Sequence, residues 1–116
     1  MTLRMPMSAG DLHIESSQTA ERTVVTLRGH LDTATAPQLY QEFAELSRLG
    51  ISRVDVDLAH VEFMDSSGLS VLVAEHRRTK HDGGGLVILS PNRRVIRLFQ
   101  LNGLMSYLVV EPPMSV

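Results

Sequence analysis

A strand-like run followed by a helical apolar stripe recurs three times between Arg22 and Gly103, and no other feature of the chain restricts its fold so strongly. Each helix has to carry the backbone back across the face of a sheet. Right-handed crossovers then lay the successive strands parallel. An earlier strand, Asp11–Ser17, has no helix between it and the next strand, so it is expected to pair antiparallel at an edge. The expected class is α/β: one domain with a four- to five-stranded, mostly parallel mixed sheet and helices packed on it. A length of 116 residues suits one core and leaves no room for a separate catalytic domain.

The punctuation places the elements. Leu12 and Ile14 alternate with polar residues, and Ser16–Ala20 reads as a turn. Arg22–Arg28 is the second strand, ended by Gly29. Thr35-Ala36-Pro37-Gln38 reads as a helix start, with Thr35 and Gln38 as a capping box and Pro37 in the first turn. Leu39, Phe43, Leu46 and Leu49 form that helix's apolar stripe, and Gly50 stops it. Arg53–Leu58 alternates as the third strand. The second helix runs from Ser66 or Ser67 to His81 with Leu69, Leu72, Val73 and His76 inward. Leu86–Leu89 reads as a strand covered on both faces. Ser90-Pro91 starts a third helix that turns Val95, Leu98 and Phe99 inward and closes at Asn102-Gly103. Leu104–Val110 holds one more short element.

Composition removes several function classes. With no cysteine there is no disulfide framework, thiol catalysis or Cys-based zinc site, and a reducing cytoplasm is the simplest location. A net charge of −2 argues against direct nucleic-acid binding. No apolar run approaches the roughly 20 residues needed to span a bilayer. Residues 1–10 lack the apolar region of a signal peptide and are expected to be a flexible tail, with the folded domain over 11–111 and a C-terminal tail over 112–116. His76 and His81 are badly spaced for ligands on one helix face, so no metal and no cofactor is expected.

In an open α/β sheet, partners are met at the carboxyl ends of the strands. Two loops are expected there, Gly29–Thr33 and His60–Gly68. The second contains Met64-Asp65-Ser66-Ser67-Gly68. Asp, Ser and Gly are all good helix N-caps, so one reading is purely structural. The other starts from the half positive charge and free N–H groups of a helix N-terminus, where a phosphoryl group on serine is tolerated by the fold yet repels an acidic neighbour.

Val56-Asp57-Leu58-Ala59-His60-Val61-Glu62-Phe63-Met64-Asp65-Ser66-Ser67-Gly68-Leu69 resembles the phosphorylation loop of anti-sigma factor antagonists in the STAS domain family. Val25–Asp32, with Gly29-His30-Leu31-Asp32, resembles the family's second strand and Gly-x-Leu-Asp loop. Gly84–Pro91 and Val95–Leu104 resemble its later strand and helix. Together these cover residues 11 to 111 in the right order. The resemblance implies a STAS-type fold and a partner-switching cycle without catalysis by this chain. The unphosphorylated form binds an anti-sigma factor that is also a serine kinase and so releases a sigma factor. Phosphorylation of the first serine after the Asp, Ser66, ends binding, and a metal-dependent phosphatase of the PP2C type resets it. Asp32, Thr33, Met64, Asp65, Ser66, Ser67 and Gly68 are the implied partner surface, on a monomer or weak dimer. His30 stands where the family often has an acidic residue.

Two other readings compete. A STAS scaffold or transport-associated subunit would use the same fold without the Ser66 cycle. A small hydrolase would use Ser66 as nucleophile, although no Gly-x-Ser-x-Gly elbow is present. Arg77, Arg78 and Lys80, and Arg93, Arg94 and Arg97, are expected to be solvated basic faces that help meet an acidic partner.

Overall fold

The computed structural model describes residues 11–111, so the two expected tails, 1–10 and 112–116, lie outside the described residues. The elements run β1 (Leu12–Gln18), β2 (Thr23–Leu31), α1 (Ala36–Arg48), β3 (Arg53–Met64), α2 (Ser66–His81), β4 (Gly85–Leu89), α3 (Arg93–Leu101) and β5 (Val109–Glu111). The sheet order is β1-β2-β3-β4-β5. β1 pairs antiparallel with β2, and every other pairing is parallel. The α/β class is as expected, and the short terminal element is a fifth strand.

The strand pleat sorts apolar residues onto one face. Ile14 lies beside Leu27, Val25 beside Val56, and Val56 beside Ile88. Leu39, Phe43 and Leu46 of α1, Leu69 and Leu72 of α2, and Val95 and Phe99 of α3 close the same buried cluster. β4 was expected to be covered on both faces. Instead Leu86 and Ile88 are buried while Val87 and Leu89 are only half-buried. Leu49 also departs from expectation: it is the C-cap of α1 and is exposed, as is much of the last turn.

The largest correction concerns the strand ends. β2 does not stop at Gly29, and β3 does not stop at Leu58. Both run on, to Leu31 and Met64. Gly29 sits inside β2 at φ +106°, where a Cβ would come within 2.3 Å of the Asp11 carbonyl oxygen. It permits a close approach within a strand, rather than ending one. The β2–β3 register slips between Thr26 and Arg28 and again between Gly29 and His30. Such bulges bend the paired strands and re-aim their ends.

The caps also differ from expectation. Thr35 precedes α1 but makes no cap bond. Its hydroxyl accepts from the Asp32 N–H at 2.9 Å and donates to the His30 carbonyl at 2.8 Å, while Gln38 reaches toward the Leu12 carbonyl, so no capping box forms. α3 is capped by Asn92, not Ser90. The Asn92 side chain accepts from Val95 N–H at 2.9 Å and donates to the Val61 carbonyl at 2.6 Å. One side chain thus starts α3 and fastens it to the far half of β3.

Candidate partner-binding site

The C-terminal ends of β2 and β3 lie side by side, with Leu31 paired to Met64. The connection from β3 to α2 is Asp65 alone. Its backbone N–H donates to the Leu31 carbonyl at 3.2 Å. Its carboxylate accepts from Ser67 N–H at 2.8 Å and from Gly68 N–H at 3.4 Å. Asp65 is therefore the N-cap, and the two serines occupy the first helical positions. Replacing Asp65 with Ala is expected to cost about 1 kcal/mol in urea unfolding, the usual loss for an aspartate cap.

This cap leaves both serine side chains free for other roles, and the fold treats them differently. Ser67 Oγ lies 3.0 Å from Thr33 Oγ1, which ties α2 to the loop after β2. Ser66 is exposed, and its hydroxyl has no side-chain hydrogen bond among the described residues. Its carbonyl accepts from the Ser70 hydroxyl at 2.9 Å. Asp32 is half-buried and occupied with its own turn, accepting from the N–H groups of Ala34 at 3.0 Å and Thr35 at 3.2 Å. It shapes the loop that presents Thr33.

Asp32, Thr33, Asp65, Ser66 and Ser67 thus come together at one tip. Two expected contact residues do not face outward. Met64 is only 8% exposed, because two register slips against β2 interrupt the regular alternation of β3 and leave both Val61 and Met64 facing the core. Gly68 is buried against Leu31, where a Cβ would lie 2.4 Å from Leu31 Cγ. Phe63 takes the outward position instead, 44% exposed. Its ring centroid is 6.0 Å from that of His30, whose Nε2 lies 3.3 Å from Glu62 Oε1. Simple alternation past Leu58 does not describe this stretch, since it would expose Val61 and bury His60 and Glu62. From Ser66 a groove of about 360 Å³ runs down α2 past Ser70, Val73 and Arg77, with Asn102 and Leu104 on its other wall.

The basic cluster on α2 is not uniformly solvated. Arg78 pairs with Glu75 at 2.6 Å and Asp82 at 3.2 Å and donates to the Ile51 carbonyl at 2.8 Å. Glu75 is 4% exposed, and burial pushes its carboxyl up, against the pull of Arg78. Its neighbour His76 is also buried, with Nδ1 unpartnered among the described residues and the ring 4.8 Å from that of Tyr107. Burial holds His76 below the usual histidine value, helped by the charges of Lys80 and Arg77. Here the unfolded chain binds the proton more readily. His76 therefore supports stability above its unfolded pKa of about 6.5 and withdraws that support as pH falls below it. Thermal melts from pH 7 to pH 5 should show a loss that is smaller in His76→Leu; equal losses would remove His76 as the cause.

A family model described as "Mlab, STAS domain" matches residues 14–111. The anti-sigma-B factor antagonist of Staphylococcus epidermidis is 33% identical over 94 residues, covering 81% of this chain and 87% of the relative. That of Bacillus subtilis strain 168 is 31% identical over 94 residues, covering 81% and 85%. Among solved structures, an anti-sigma factor antagonist from Mycobacterium paratuberculosis superposes with a TM-score of 0.82 at 23% identity, covering 95% of this chain and 92% of that one.

Proposed function

The chain belongs to the STAS domain family, and from that premise we propose that it is an anti-sigma factor antagonist whose binding is switched off by phosphorylation of Ser66. Its partner is an anti-sigma factor with serine kinase activity, and a phosphatase of the PP2C type restores the free hydroxyl. The relatives named as anti-sigma-B factor antagonists support the partner class. The observation that carries the choice of serine is the tip geometry: Ser66 is exposed with a free hydroxyl, while Ser67 is held by Thr33.

A phosphoryl group on Ser66 would sit on the first turn of α2, where the helix dipole favours negative charge. It would add about −1.5 to −2 charge and three acceptor oxygens at the tip. Neighbouring Asp65 stays bound to its two N–H groups, so the fold has no reason to open. A partner pressed onto that tip would face both the bulk and the charge. The switch thus acts on the interface and leaves the domain intact. The reaction itself belongs to the kinase and the phosphatase, and this chain supplies the acceptor and the docking surface.

Incubation with the serine-kinase anti-sigma factor encoded nearest this gene, with ATP, should give one phosphate, on Ser66, by fragmentation mass spectrometry. Ser66→Ala should abolish it and keep binding. Phosphate on Ser67 alone, or on neither serine, would reject the assignment and leave the transport or scaffold reading in its place.

A further inference from the structure

α3 carries two apolar stripes: one is buried in the core, and the other meets the core only through half-buried Leu98. Val95 and Phe99 are buried. Arg94, Arg97, Leu98 and Leu101 follow at i, i+3, i+4 and i+7, so they share another face. That face forms one wall of a groove of about 280 Å³ whose other wall is Phe63 and Met64 at the end of β3. Leu101 is 73% exposed, an unusual position for a leucine with no apolar cover. The helix RRVIRLFQL has three arginines and no carboxylate, and among the described residues none of the three is in an ion pair. On a chain of net charge −2 this is a local reversal of sign.

The geometry points to this groove as the seat of an acidic, amphipathic segment of the same partner that covers Ser66, with Leu or Phe side chains between Phe63 and Leu101 and carboxylates on Arg94 and Arg97. This rests on the proposed partner-switching role. Three features favour a protein segment. The apolar surface is concave and takes a side chain, whereas insertion into lipid needs a projecting one. Three arginines fall short of the four to eight basic residues that usually mark an anionic membrane site. Met64 is two residues from Ser66, about 7 Å of extended chain, so a body seated on the tip reaches the groove without a separate anchor. The apolar centre would supply affinity, and the arginine rim would supply orientation and encounter rate.

The full-length, ¹⁵N-labelled protein can be titrated with a helical peptide of about 14 residues bearing Leu at i and i+4 flanked by Glu, with its Lys-for-Glu counterpart, and with phosphatidylcholine vesicles carrying phosphatidylserine. The acidic peptide should shift the amide signals of Phe63, Leu98 and Leu101. The double variant Arg94→Glu, Arg97→Glu and, separately, Leu101→Asp should each weaken it at least about tenfold. All three side chains are exposed, so these variants keep the fold. Equal binding of the Lys peptide, shifts elsewhere, or binding to vesicles alone would overturn the proposal. Unchanged kinase affinity in the double variant would also overturn it while leaving Ser66 phosphorylation standing. Peptide seated on α3 with no phosphate accepted at Ser66 would uphold the groove and reject the switch.

Discussion

Ser66→Asp is expected to weaken the complex with the anti-sigma partner by more than a hundredfold, about 3 kcal/mol, while the domain stays as stable as the parent or slightly more so. The two effects have opposite signs because they act on different contacts. α2 has no acidic residue in its first turn, so a carboxylate at its first position meets a favourable helix dipole. That gain is about 0.3–1 kcal/mol, reduced by the charge of Asp65 next door. The Ser66 side chain is exposed and makes no side-chain hydrogen bond among the described residues. At an interface the same charge has to be desolvated against the partner. Calorimetric titration with the partner and urea unfolding, run on one preparation, check both halves. A variant that binds normally would remove charge at Ser66 as the switch. One that unfolds early would return Ser66 to a structural role.

The second large effect is expected at Gly68. Gly68→Ala should destabilise the domain by about 2–3 kcal/mol, the upper part of the range of about 1–3 kcal/mol for overpacking a filled site. The added methyl would lie 2.4 Å from Leu31 Cγ, 2.7 Å from Leu31 Cδ2 and 3.1 Å from the Leu31 carbonyl oxygen. Leu31 is fully buried, so it has nowhere to move. Its carbonyl also receives the Asp65 N–H, so any relief by shifting α2 strains the joint that presents Ser66. Kinase affinity should therefore fall together with stability. Gly85→Ala is the control, since a Cβ there meets nothing within 4 Å. Urea midpoints that agree for the two variants would show that the Leu31 contact yields easily.

Strand and helix order was legible because it rests on local periodicity, and the family resemblance was legible because its motifs are short and contiguous. The errors share one cause. Gly29 was read as a stop because glycine is rare within strands, yet it is needed there for the close approach of Asp11. Thr35 and Ser90 were read as caps by residue type, while α1 has no side-chain cap bond and α3 is capped by Asn92. Met64 and Gly68 were placed on the surface because they flank the serines; packing of β3 and of Leu31 turns them inward. Arg78 looked like a surface charge until the turn after α1 supplied the Ile51 carbonyl and α2 the buried Glu75.

The class of partner came from the family resemblance, while the sequence alone determined the α/β order and the contiguous motif at Ser66. These depend on residues close together in the chain, where spacing translates directly into face and turn. Tertiary structure alone decided which serine hydroxyl is free, because that turns on Thr33, a residue 34 positions from Ser67. It also decided that Phe63 faces outward and Met64 inward, because two register slips between β2 and β3 set the aim of the strand ends. Contacts between distant segments leave no local period in a sequence, so the side chains they orient become known only once the sheet is assembled.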